Sequence, residues 1–94
     1  MIVFRLYQYF LPYTTDSEYY NSLTVNIVRN LPTVADNIGK VKAFKKMDAS
    51  VFTVSIHPLN AETIDGDADY LLELEDEFVQ LMGRNTTSWT VISE

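Results

Sequence analysis

The chain has 94 residues and no cysteine, and this absence limits what can hold so small a fold together. Without cysteine there is neither a disulfide framework nor a thiolate zinc site, which often support very small domains. The fold must therefore rest on a hydrophobic core, for which 47% apolar and 13% aromatic residues are sufficient. We expect one domain over residues 1–94, in a reducing compartment such as the cytoplasm.

Charge is distributed unevenly along the chain. Thirteen acidic and seven basic residues give a formal net charge of −6, which disfavours direct binding to nucleic-acid phosphates. Four lysines lie within residues 40–46, whereas residues 60–77 hold eight acids and no basic residue. No apolar segment approaches the roughly 18 residues that a membrane span requires, so we expect no membrane partner.

The spacing of apolar residues predicts four strands and two helices. One predicted helix begins at the Thr15/Glu18 capping box, is kinked near Pro32 and ends before Gly39. The other begins at Asp67 or Asp69 and ends at Gly83, with an apolar stripe through Leu71, Leu74, Phe78 and Leu81. Alternating apolar residues predict strands over 1–10, 40–46, 51–56 and 88–92.

An alternative remains for the first helix. Its β-branched segment alternates equally well as an extra strand at 22–29, and Pro32 interrupts the helical pattern. The main interpretation gives the order βαββαβ.

This order predicts an α+β fold, a ferredoxin-like plait with two helices on one face of a four-stranded antiparallel sheet. The strands at 1–10 and 51–56 would then be central, and the strands at 40–46 and 51–56 would form a hairpin. Phe52, Val54 and Ile56 would face the core. The opposite sheet face would lie open to a partner or to a second copy of the chain.

No motif in the sequence indicates catalysis. Asp65, Asp67 and Asp69 alternate as at the start of a calcium loop, but Tyr70 stands where that loop needs glycine. We interpret these acids as residues that favour the N-terminus of the second helix. His57 is the only histidine, and no glycine-rich phosphate loop is present. We therefore expect no enzyme activity, catalytic residue, metal or cofactor.

The acid-rich segment favours a small acidic protein-interaction module. A specific form of this hypothesis is an inhibitor that occupies the basic nucleic-acid-binding surface of a target protein. One alternative is a dimeric ferredoxin-like protein that binds a small ligand or acts as an enzyme. Another is a structural subunit of a larger assembly, and a homodimer is compatible with each of these. The predicted partner-binding residues are Asp65, Asp67, Asp69, Glu73, Asp76, Glu77, Tyr7 and Tyr9.

Overall fold

The computed structural model describes the backbone of residues 2–10 and 13–94, and the side chains of Val3 and residues 16–94. The regular secondary structure of this part of the chain consists of strands, apart from one short 3-10 turn at Val34–Asn37. The strands are β1 (Ile2–Phe10), β2 (Tyr13–Asn21), β3 (Ile27–Asn30), β4 (Val41–Lys46), β5 (Val54–His57), β6 (Thr63–Ile64), β7 (Tyr70–Leu72), β8 (Phe78–Gly83) and β9 (Ser88–Ser93).

The strands form two sheets. The larger has six strands in the order β1-β2-β4-β8-β9-β6, and the smaller has three in the order β3-β5-β7. Strands β2 and β4 are parallel, as are β3 and β5, whereas β8 is antiparallel to both β4 and β9. The chain thus leaves the large sheet after β2, returns to it for β4, and leaves it again for β5.

Both sheets contribute to one hydrophobic core. The large sheet supplies Phe44, Val79 and Trp89 among others, and the small sheet supplies Val54 and Ile56. The expectation that Val54 and Ile56 face the core is confirmed, since both are fully buried. Phe52 is partly buried against the same cluster.

The ferredoxin-like plait is wrong, because neither predicted helix forms. Residues 15–38 contain most of β2, all of β3 and the 3-10 turn. Glu18 is not a capping residue, since it lies in β2 and its side chain is buried. The alternative strand at 22–29 is not what forms either, because residues 22–26 are a connection and the strand begins at Ile27.

The second predicted helix is replaced by β7, a loop and β8. Its proposed apolar stripe fails on burial, because Leu71, Leu74 and Phe78 are exposed. The buried residues instead alternate along the strands, as Val79 and Leu81 do in β8. This is the two-residue period of a strand with one face on the core. The α+β class is therefore replaced by a two-sheet β-fold.

The predicted strand positions are better than the predicted pairing. The strands at 1–10, 40–46 and 88–92 correspond to β1, β4 and β9, and the end of 51–56 falls in β5. However, β4 and β5 belong to different sheets, so the hairpin between them is wrong, and β1 is an edge strand instead of a central one. Without a helical layer, the predicted open face opposite the helices has no counterpart.

No helix in the described residues is long and apolar enough to cross a membrane.

Candidate functional site

Three connections meet at one end of the two sheets. They are residues 22–26, 47–53 and 73–77, which we call the apical loops. Parallel strands β2 and β4 end there, and parallel strands β3 and β5 begin there. Strand β7 is antiparallel to β5, and β8 is antiparallel to β4, so β7 ends and β8 begins at this same end of the sheets. Each apical loop therefore carries the chain from one sheet to the other.

Lys46 fixes the loop at 47–53 from inside the protein. Its side chain is completely buried, which is unusual for lysine. The Nζ atom donates to the Asp48 carbonyl oxygen at 2.8 Å, to Asp48 Oδ1 at 2.9 Å and to the Ser50 carbonyl oxygen at 2.9 Å. An ammonium group has three hydrogens to donate, so all of them are used and the buried charge is compensated.

Asp48 joins this loop to the loop at 22–26. Its Oδ2 atom accepts a hydrogen bond from the Leu23 backbone N–H at 2.6 Å, and its Oδ1 atom accepts one from Ser50 Oγ at 2.9 Å. Burial alone would raise the pKa of Asp48, but the bonds from Leu23, Lys46 and Ser50 outweigh it and lower the pKa to about 2. The carboxylate is thus held in its charged form as a cross-link between two loops.

The third apical loop is closed by Glu77. Its Oε1 atom accepts the backbone N–H groups of Glu73 at 2.7 Å and Leu74 at 3.0 Å. Asp76 adopts a left-handed backbone conformation with φ of 62°, which lets the loop turn back toward β8. The Glu77 carbonyl oxygen accepts the Lys46 N–H at 2.9 Å, so this loop is also attached to the end of β4.

The hydrogen-bonded apical loops carry exposed apolar side chains. Val25 is 55% exposed, Val51 89% and Leu74 71%, one in each loop. The carboxylates of Glu73, Glu75 and Asp76 are exposed beside Leu74. Apolar side chains held outward on anchored loops are typical of a binding surface, because little conformational freedom is lost when a partner covers them.

The predicted partner-binding acids fall into two groups at opposite ends of β7. Glu73, Asp76 and Glu77 belong to an apical loop, whereas Asp65 and its neighbours lie between β6 and β7. Glu77 bonds within its loop, and Asp76 Oδ1 lies 3.8 Å from Lys45 Nζ. The structure therefore does not bring the six acids together on one face.

Asp65 has a structural role in this arrangement. Asp65 and Gly66 both have positive φ, at 50° and 89°, which forms the tight two-residue turn for which Asp-Gly is a strong signal. The Asp65 carboxylate accepts hydrogen bonds from Thr90 Oγ1 at 2.9 Å and the Val91 N–H at 3.1 Å. The interpretation of these acids as helix-favouring residues is wrong. The local signal for the turn was present in the sequence and was missed.

The remaining residues singled out in the sequence are exposed, or their side chains lie outside the described part of the chain. Asp67 and Asp69 are exposed, and their carboxylates bond to no other group in the described part of the chain. The side chains of Tyr7 and Tyr9 lie outside the described residues, although their backbone pairs with β2. His57 is exposed at the end of β5. Within the described residues, no group of three or more potential ligands could hold a metal ion.

A second ionic pair lies between the sheets and has a different role. Glu18 of β2 is 3% exposed and binds Arg29 of β3 through Nε at 2.8 Å and Nη2 at 2.9 Å. The Tyr20 hydroxyl donates to the same carboxylate at 2.5 Å. This two-point contact connects the large sheet to the small one, and we interpret it as structural because the carboxylate is enclosed.

Sequence reasoning singled out the acids Glu73, Asp76 and Glu77 of one apical loop, but not the exposed apolar residues or the buried Lys46. No protein family model, curated protein or solved structure matches the chain.

Proposed function

We propose that the protein is a small acidic protein-interaction module that binds a basic protein surface through its apical loops. The observation that carries this proposal is the combination of three exposed apolar tips with loops held by the hydrogen bonds of Lys46, Asp48 and Glu77. Interfaces gain most of their affinity from a few residues that become fully desolvated at the centre of the contact, whereas charged residues around them steer the encounter.

The charge of the module selects the partner. Glu73, Glu75 and Asp76 surround the Leu74 tip, and the whole chain carries a formal charge of −6. Asp67 and Asp69 extend the negative surface beyond the other end of β7. Such a surface attracts a basic one and repels phosphates. We propose a nucleic-acid-binding protein as the target, with the module acting as an inhibitor that occupies its basic surface.

The first experiment measures binding to a purified target. Affinity capture from the native lysate supplies candidates, and each is then titrated with the protein by calorimetry at several salt concentrations. Val51→Ser and Leu74→Ser should each weaken binding about tenfold or more, since a buried aliphatic side chain contributes about 1.5–3 kcal/mol. Val28→Ser is the matched control, because Val28 is 65% exposed but lies in β3, outside the apical loops.

The second experiment separates the charge contribution and the inhibitor hypothesis. Glu73→Lys with Glu75→Lys should weaken binding and reduce its salt dependence, because a basic partner then meets positive charge. The captured target should also lose its nucleic acid when the protein is added. If folded apical variants bind as tightly as the unchanged chain, the interaction site is wrong. If binding survives with nucleic acid still attached, the inhibitor hypothesis is wrong.

A further inference from the structure

The edge strands of the two sheets differ greatly in length. Strands β6 and β7 have two and three residues, and acidic turns flank them. Strand β3, at the other edge of the small sheet, has four residues. Strand β1, at the edge of the large sheet, has nine. Proteins normally keep edge strands short, charged or interrupted by proline, because unpaired backbone groups attract another strand.

The sequence of β1 carries little of this protection. Seven of its nine residues are aliphatic or aromatic, none is proline, and Arg5 is its single charged residue. All nine residues pair with β2 on one side. Within the described residues no strand lies on the other side. A long strand rich in strand-forming residues, with one free edge, is suited to pairing with another chain.

The distribution of charge indicates which other chain would pair with β1. Residues 1–15 contain Arg5 and no acid, and Asp16 is the first acidic residue. Residues 16–94 hold all 13 acids and six basic residues, a formal charge of −7, so two copies repel each other least where their β1 strands meet. A strongly basic protein would be attracted to the acid-rich segments instead.

The strand is also complementary to itself. An antiparallel pair centred on Leu6 places Leu6 opposite its own copy, Arg5 opposite Tyr7, and Ile2 opposite Phe10. Every residue of β1 then has a partner, and the two arginines do not face each other directly. We infer that β1 is a homodimer edge, at which two copies of the chain pair antiparallel around Leu6 and join their large sheets into one. This inference does not depend on the apical loops.

The absence of native cysteine allows a direct test of this register. Opposite residues of an antiparallel pair have Cα atoms about 4.5–5.5 Å apart, within the range that a disulfide spans. Leu6→Cys should therefore form a covalent dimer under mild oxidation, at least tenfold faster than Val28→Cys on β3. A mixture of Arg5→Cys and Tyr7→Cys should cross-link to each other more readily than either does to itself.

A second measurement covers the unmodified chain. Analytical ultracentrifugation should show a concentration-dependent dimer, whereas Leu6→Asp and Leu6→Lys should each be monomeric because like charges meet at the centre. Mixing the two should restore a dimer through opposite charges. Circular dichroism confirms that each variant is folded. If a charged variant does not fold, the cysteine variants decide.

Three results would overturn the inference. The first is an unmodified chain that stays monomeric at high micromolar concentration. The second is Leu6→Cys cross-linking no faster than Val28→Cys. The third is a stable complex in which a strand of another protein, instead of a second copy, protects the β1 edge from hydrogen exchange.

Discussion

Asp48→Asn tests whether buried charge fixes the apical loops. The substitution keeps the size of the side chain and part of its hydrogen bonding, but removes the charge that faces Lys46. The Asp48 side chain is only 15% exposed, so solvent screens this interaction weakly. We expect a lower free energy of unfolding and looser packing of the loops at 22–26 and 47–53.

The magnitude follows from the pKa of Asp48. It falls from an ordinary value of 3.8 to about 2 in the folded protein. At about 1.36 kcal/mol for each pKa unit, the charged form contributes about 2 kcal/mol to stability near neutral pH. This is a substantial part of the roughly 5–15 kcal/mol that stabilises a typical domain.

The sign of the pH dependence is fixed by the direction of the change. Because the pKa of Asp48 is lower in the folded state, its contribution is complete above about pH 5, well above the unfolded value of 3.8. It is lost as the pH falls toward 2, where the folded carboxylate takes up a proton. The difference between the unchanged chain and Asp48→Asn should therefore shrink from about 2 kcal/mol at pH 7 toward zero near pH 2.

Urea unfolding followed by tryptophan fluorescence at pH 7, 4 and 2.5 measures this difference. The contributions of other carboxylates cancel, because both proteins contain them. Asp69→Asn is the matched control, since it also removes one carboxylate but at an exposed position outside the apical loops. A gap between the two proteins that stays constant from pH 7 to 2.5, or no gap at pH 7, would refute the reasoning.

Three further substitutions test other parts of the structure. Gly83→Ala should destabilise the protein by about 1–3 kcal/mol or more in urea unfolding, because the new Cβ would lie 2.1 Å from the Asn37 carbonyl oxygen. Arg29→Met should lower the free energy of unfolding by about 1–3 kcal/mol, because it removes one of the groups that bind buried Glu18, while solvent partly screens Arg29 itself, which is 35% exposed. Adding Glu18→Gln should recover part of this loss. If the effects of the two substitutions on the free energy of unfolding were fully additive, the expected coupling between Arg29 and Glu18 would be contradicted. Burial and the neighbouring Glu94 carboxylate raise the pKa of Tyr70 to about 12. Tyr70→Phe should therefore remove a phenolate absorbance step near pH 12 in an alkaline titration, and the stability linked to this group should disappear between pH 10 and 12.

Local sequence pattern located several strands but could not assign them to sheets. Strands β1, β4 and β9 have six residues or more, which is long enough for a pattern of strand-forming residues to be recognised. Strands β6 and β7 have two and three residues, too few for any period to be visible. A run of leucines across β7 and its following loop then imitated a helical stripe.

The site was harder to predict than the strands. The exposure of Val25 and Val51 depends on where the chain crosses between the sheets, and this is decided by contacts between distant segments. The burial of Lys46 has the same origin, since its charge is matched by a loop that turns back over it. Nothing in the residues beside these positions distinguishes them from ordinary surface valines and lysines.

The chain crosses repeatedly from one sheet to the other, and this constrains how the protein can fold. Strand β3 lies between β2 and its parallel neighbour β4 in the sequence, and β4 lies between β3 and its parallel neighbour β5, so the two parallel pairs interleave along the chain. Neither parallel pair can be completed by a short local hairpin, so the loop-closure entropy must be overcome before either gains its contacts. Both sheets should therefore assemble in one cooperative step, slowly for a chain of this length and on the order of milliseconds to seconds. A fragment that ends before β5 should have no stable small sheet and should not retain the native structure.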